Sequence, residues 1–204
     1  MTKPILVWGT KGLGCSMLIW IIKKLRDPKY FIDDPIDPET FSAHRQPRTV
    51  HWFGDVPLPE FIQNSGVPEI EQIYHCEPNF KTFNHYNKSP QDYKSIVIYA
   101  ASVIELQQIA VLQKYKDPPL DYSIQDLFQF LCIDDVYIKK GLPHSLNISF
   151  SEFFTDDITE LLHTLTSFLE IDPTTCNFDA IKTIHYKWYC GSKQLLVGQL
   201  DKFL

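Results

Sequence analysis

The sequence lacks a surplus of positive charge, a paired-cysteine motif and an apolar run of membrane length, and each absence removes a class of function. Lys and Arg number 19 against 25 Asp and Glu over 204 residues, a net charge of −6. Broad binding to nucleic acid or to an anionic membrane needs a clustered basic surface, so neither partner is expected. A single small anionic ligand needs only a local positive pocket and is not excluded. The five cysteines (Cys15, Cys76, Cys132, Cys176 and Cys190) are odd in number, widely spaced and never Cys-x-x-Cys. That pattern predicts reduced, mostly buried thiols in a cytoplasmic protein. A secretory signal is not expected, because glycines break the first apolar segment and no cleavage site follows it. The run from Leu13 to Ile22 is too short to cross a bilayer. No internal repeat or low-complexity linker divides the chain, and no Arg follows Arg48.

What is present fits a packed globule. Hydrophobic residues make up 44% and aromatic residues 14% of a chain long enough to bury a substantial core as one domain, residues 1–204. Apolar runs predict strands at Ile5 to Trp8, Arg48 to Phe53, Glu71 to Cys76, Ser95 to Ala100 and Leu146 to Phe150. Apolar residues at i, i+3, i+4 and i+7 predict a helix over Cys15 to Arg26, through Leu18, Ile21, Ile22 and Leu25. Further helices are expected from Ser102 to Lys116, Ile124 to Leu131, Thr155 to Glu170 and Phe178 to Tyr189, with a tail from Lys193. Residues 77–93, rich in Asn, Pro and Lys, read as an irregular excursion. Alternating strands and helices imply an α/β fold, three layers deep, with a central, mainly parallel sheet of about five strands flanked by helices. Ligands are then expected at the carboxyl ends of the strands.

The stretch from Pro4 to Leu18 carries the clearest functional signal. A buried strand breaks at Gly9 into the turn Gly9-Thr10-Lys11-Gly12-Leu13-Gly14-Cys15-Ser16, and a helix begins. Strand, glycine turn and helix together point backbone N–H groups and a helix N-terminus at one anion, usually a phosphate. The spacing is that of a P-loop, except that Cys15 stands where a nucleotide triphosphatase has its phosphate-binding lysine. The nearby cation is Lys11, inside the turn. Ordinary ATP or GTP hydrolysis is therefore disfavoured. A small-molecule kinase fares poorly for the same reason, and no magnesium-binding Asp follows an apolar strand.

Several further segments share one pattern. Asn147 to Asp157, leading into a helix that ends Ser167-Phe168-Leu169-Glu170-Ile171, resembles a strand, an aromatic-Glu turn and an amphipathic helix of the PAPS-dependent sulfotransferase family. Ser123-Ile124-Gln125-Asp126-Leu127-Phe128 is similar to the acidic-aromatic helix before it, and Arg48-Thr49-Val50-His51 with Pro57-Leu58-Pro59 to the family's Lys-Thr-His-Leu-Pro segment. The likeness spreads over residues 4–190. It implies a P-loop fold and transfer of a sulfuryl group from PAPS, leaving PAP, to a small hydroxyl or amine acceptor. By the same resemblance Gly9, Thr10, Lys11, Gly12, Gly14, Cys15 and Ser16 form the 5′-phosphosulfate loop, Lys11 stabilises the transferring group, and His51 is the catalytic base. The chain departs from the family at the 3′-phosphate. Its Arg and Ser are replaced by Tyr99-Ala100-Ala101 and by Gln107 and Gln108, and only Lys187, Gly191 and Lys193 resemble the C-terminal Arg-Lys-Gly element. A catalytically degenerate P-loop protein acting as a nucleotide-binding or structural module is the alternative.

Other candidates carry less. His44, His75, His85, His144, His163 and His185 do not cluster at metal-ligand spacing, and adjacent His75 and Cys76 fall on opposite faces of a strand. No metal site is expected. Asp33, Asp34 and Asp37 sit among prolines and read as a solvated acidic turn rather than a calcium loop.

Overall fold

The computed structural model describes residues 3–10, 12–43, 50–68, 71–116, 122–139 and 142–200. Five strands form one parallel sheet: β1 (Ile5–Trp8), β2 (Val50–Trp52), β3 (Ile73–Cys76), β4 (Lys94–Tyr99) and β5 (Ser145–Ser149). Their order is β2-β3-β1-β4-β5. The register pairs Val7 with both His75 and Ile96, and His51 with His75. β1 and β4 are interior strands, as their nearly continuous apolar sequences require, since both faces of a parallel sheet are covered.

Among the described residues, eight α-helices flank the sheet: α1 (Cys15–Arg26), α2 (Leu58–Asn64), α3 (Phe80–Tyr86), α4 (Val103–Lys116), α5 (Ile124–Lys139), α6 (Phe150–Phe153), α7 (Thr159–Leu169) and α8 (Phe178–Leu200). Strand side chains alternate between the two faces, and two cores follow from that parity. Ile5, Val7, Ile96, Ile98 and Ile148 pack with buried residues of α1, α4, α5, α7 and α8. Leu6, Trp8, Trp52, Tyr74, Cys76 and Val97 pack with Leu58, Phe83 and Tyr86. Trp8 is the hub of this smaller core, edge-on to Trp52, Phe83 and Tyr86 at centroid distances of 6.2, 5.5 and 5.4 Å. α1 has eight buried side chains among its 12 residues. At about 1.5–3 kcal/mol for each large apolar side chain removed from water, it is a principal source of stability as well as the floor of the glycine turn.

Several element boundaries differ from the expectations, each for a visible reason. The excursion 77–93 holds α3, because Asn79 accepts from the Thr82 N–H while Thr82 Oγ1 accepts from the Asn79 N–H, a reciprocal cap. α2 starts after Pro57 with a second proline in its first turn, where a missing N–H is harmless. The helix expected from Thr155 starts late, and a separate short helix, α6, precedes it. Ser149 and Glu152 close a capping box for α6, and Asp157 accepts the Thr159 N–H at 2.9 Å to start α7 four residues late. α5 and α8 run past the Leu131 and Tyr189 expected for their ends, and no separate tail begins at Lys193. The acidic turn does use its carboxylates locally: Asp34 accepts from the Ile36 N–H, Asp37 from Glu39 and Thr40, and Asp33 meets Lys24. All five cysteines are free, and among the described residues no helix is long and apolar enough to cross a membrane.

α8 also buries a titratable group. His185 is fully buried, its Nε2–H donates to the Phe153 carbonyl at 2.9 Å, and its ring packs on Phe153 and Trp188. Burial penalises the imidazolium and pushes its pKa down from the ordinary 6.5 to about 4, against the smaller opposing effect of the Phe153 hydrogen bond. Above about pH 6.5 both folded and unfolded chains hold this ring neutral and its contribution to stability is complete. Between 6.5 and 4 only the unfolded chain takes up the proton, so stability falls with falling pH, by on the order of 3 kcal/mol in all. Urea midpoints from pH 7.5 to 4.5 should show that loss in the wild type and a flatter profile in His185→Gln. Parallel profiles would show that the ring is accessible to protons in the native state.

Candidate functional site

The turn between β1 and α1 is shaped by glycines that other elements crowd. Gly12 has φ +90° and Gly14 φ +83°, the left-handed region where a side chain is strained. A Cβ on Gly12 would lie 2.9 Å from the Ile109 carbonyl oxygen of α4, and one on Gly14 would lie 2.8 Å from a Phe153 ring carbon and 2.9 Å from Trp188. A Cβ on Gly9 would meet Cys15 Sγ at 2.6 Å. Thr10, Leu13 and Cys15 are buried, whereas Gly12, Gly14 and Ser16 keep partial exposure. Gly14 is the N-cap of α1, no side chain caps that end, and no acid lies in its first turn. The helix therefore presents first-turn N–H groups and the positive end of its dipole without a carboxylate of its own. Lys11 lies outside the described residues, as do His44, Arg48 and Thr49.

Cys15 is the first residue of α1, where a dipole would favour a thiolate. Burial dominates instead and drives its pKa far above the usual thiol range, with the charge of Glu77 adding to the effect. It packs as a small apolar side chain and is unsuited to nucleophilic attack.

His51 lies next door rather than in the turn. It stands on β2, part-exposed, with its ring stacked on Phe53 at 6.0 Å and edge-on to His75 at 4.6 Å. Its Nδ1 is 3.8 Å from Glu77 Oε1. His75, on β3 and 3% exposed, makes a 2.8 Å hydrogen bond from Nε2 to the Gly9 carbonyl. A carbonyl oxygen only accepts, so Nε2 carries the hydrogen. The three side chains thus join the first residue of the glycine turn to the outer strands. The sequence reading kept the histidines apart, but the β2–β3 register sets His51 beside His75. The usable signal was the spacing His75-x-Glu77, which alternation places on one face.

The residues at the end of β4 do not join this group. The Ala101 N–H donates to Glu105 Oε2 at 2.6 Å, and Ser102 Oγ accepts from the Glu105 N–H at 3.2 Å, so a carboxylate occupies the head of α4. Gln107 is exposed and Gln108 half-buried. Lys187 is paired with Asp34, and Lys193 donates to the Tyr189 hydroxyl at 3.0 Å.

Fold and site together define a parallel α/β protein with a strand–glycine turn–helix at its central strand and a His-His-Glu cluster beside it. A scan against protein-family models, a search of curated proteins and a search of solved structures each return no match.

The crowding predicts the cost of filling the turn. Gly14→Ala and Gly12→Ala should each lose about 2–4 kcal/mol, from left-handed strain plus overpacking. Gly198→Ala, in α8 with nothing within 4 Å of its added Cβ, should gain up to about 1 kcal/mol from helix propensity. Urea unfolding of the three variants checks both signs.

Proposed function

We propose that the chain binds the 5′-phosphosulfate end of a sulfonucleotide on the turn from Gly9 to Ser16 and moves its sulfuryl group to a hydroxyl of a small acceptor. The observation that carries this reading is the uncapped, acid-free N-terminus of α1 at the carboxyl end of the central strand. Two positive-φ glycines set the backbone that leads into it. The fit is good at the 5′ end: N–H groups of the turn and of Cys15 and Ser16 would hold non-bridging oxygens, with Lys11 as counter-charge. Bound PAPS would supply the activated sulfuryl group.

The remaining tasks fall to side chains. His51 takes the proton of the acceptor hydroxyl as the acceptor oxygen bonds to sulfur and the bridging S–O bond breaks, the electron pair leaving with the phosphate of PAP. Glu77, 3.8 Å from Nδ1, favours the tautomer with the hydrogen on Nδ1 and the lone pair on Nε2, and then stabilises the imidazolium, as an orienting carboxylate does for a histidine base. The resemblance to sulfotransferases stated from the sequence supports the same assignment.

A second reading, a P-loop module that binds a nucleotide without turning it over, rests on Glu105. Its carboxylate stands at the end of β4, where the family places an Arg. A charge-assisted contact is about twice as strong as a neutral one, and here the charge has the wrong sign for a 3′-phosphate.

The experiments separate the readings. PAP at 100 times its dissociation constant should add about 2.7 kcal/mol of stability, a Tm rise of about 5–10 °C for a chain of this size, and ATP should add none. Lys11→Ala should cut turnover by on the order of 10²–10³ while leaving the melting curve in place. Discrimination between PAPS and adenosine 5′-phosphosulfate should be less than tenfold. Heat protection by PAP without transfer to any phenol, sugar or amine would establish the non-catalytic module, and no protection would remove both readings.

A further inference from the structure

His51, His75 and Glu77 each bring one ligand-type atom to a common point, all within 4.8 Å of one another. We propose that this triad is a binding site for one divalent transition-metal ion, with zinc the best match. The sulfuryl-transfer reading does not require such a site, and the site does not require that reading.

The first argument is the tautomer of His75. Its Nε2–H is held by the Gly9 carbonyl at 2.8 Å, so the lone pair sits on Nδ1. A metal-bound histidine is held in the same way, its second ring nitrogen donating to a backbone carbonyl or carboxylate that fixes the ring and raises its basicity. The second argument is desolvation. Nδ1 of His75 and Oε1 of Glu77 are fully buried atoms, while the His51 side chain is 33% exposed. Two donors are therefore preorganised below the surface, and the third closes the site from its rim, leaving one face open to water or a ligand. The third argument is donor chemistry. Two imidazoles and one carboxylate form the three-ligand set of open zinc sites. Magnesium and calcium prefer all-oxygen shells.

The spacing fits with modest closure. Ligands around one zinc at bond lengths of about 2.0–2.1 Å lie about 3.4 Å apart, and the His51–Glu77 pair is at 3.8 Å. The remaining pairs lie within 4.8 Å, and closing them calls for rotation of the rim residue His51 and of the Glu77 carboxylate. An ion here takes the lone pair of His51 Nδ1, leaving the hydrogen on Nε2. A base needs the opposite tautomer, so metal binding and proton abstraction exclude each other at this ring.

The test uses the full chain, stripped with chelator and free of nucleotide, titrated with Co²⁺ and followed by visible d–d absorption. The signal should saturate at one equivalent, bleach on adding Zn²⁺, and persist in excess Mg²⁺. Glu77→Gln and His51→Gln, which keep the side-chain volume, should each weaken binding at least about tenfold while unfolding within a few degrees of wild type. His75→Ala is left as a secondary variant, since that residue is buried. No saturable signal overturns the site. So does unchanged affinity in both Gln variants, or a thiolate-to-cobalt charge-transfer band, which would assign the ion to cysteines. PAP protection measured in the presence of chelator reports on the glycine turn alone, so failure of one proposal leaves the other standing.

Discussion

The turn between β1 and α1 keeps its shape because neighbouring elements leave no room for a side chain there. α4 presses a backbone carbonyl toward Gly12, while Phe153 of α6 and Trp188 of α8 close on Gly14. Backbone cannot retreat as a flexible side chain can, so the Gly12–Ile109 approach is the least forgiving contact of the group. Through these contacts the N-terminus of α1 is fixed relative to elements that begin far later in the chain, at Val103, Phe150 and Phe178. The buried His185 belongs to the same arrangement, because its rings of contact are Phe153 and Trp188 themselves. Packing chemistry far down the sequence thus holds a helix end that no side chain caps.

Sheet parity decides which chemistry reaches that helix end. On β3, Tyr74 and Cys76 face the core built around Trp8, and His75 faces the opposite side with Val7. Glu77, two residues beyond His75, returns to the His75 side, where its charge is felt by Cys15. A one-residue slip of β3 would exchange these sets, burying an imidazole among Trp8, Trp52 and Tyr86. The tight aromatic packing around Trp8 forbids it. The smaller core therefore fixes the register that assembles the polar cluster on the other face.

Local cues made part of this legible from sequence. α1 was readable to its first and last residue, because a glycine break, apolar spacing and a basic last turn all agree. The parallel sheet followed from β1 and β4, whose apolar runs exclude an edge position. α3 was hidden because Asn79 and Thr82 look like loop residues until their side chains are seen to satisfy each other. The late start of α7 was hidden because Thr155, Asp156 and Asp157 all have cap-type side chains, and local sequence does not say that Asp157 is the one that accepts the Thr159 N–H. His51 was singled out through resemblance. His75 and Glu77 were not, since their partner depends on a strand register that local pattern does not encode.

The carboxyl ends of the strands are electrostatically lopsided, and this bears on the proposed reading. On the β1 side stands the uncapped N-terminus of α1, with no acid in its first turn. On the β4 side Glu105 caps its own helix and places a carboxylate at the corresponding position. A ligand with negative charge at one end is attracted to α1 and repelled near α4, whereas one charged at both ends meets both forces at once. At surface-like dielectric two unit charges 4 Å apart interact by about 4 kcal/mol, enough to offset a good hydrogen-bonded contact. If the turn binds an anion as proposed, the asymmetry would favour ligands whose phosphate or phosphosulfate lies on α1 and whose far end is neutral. On the proposed reading, that preference would follow from Glu105 serving as a helix cap, with ligand choice and the start of α4 resting on the same carboxylate.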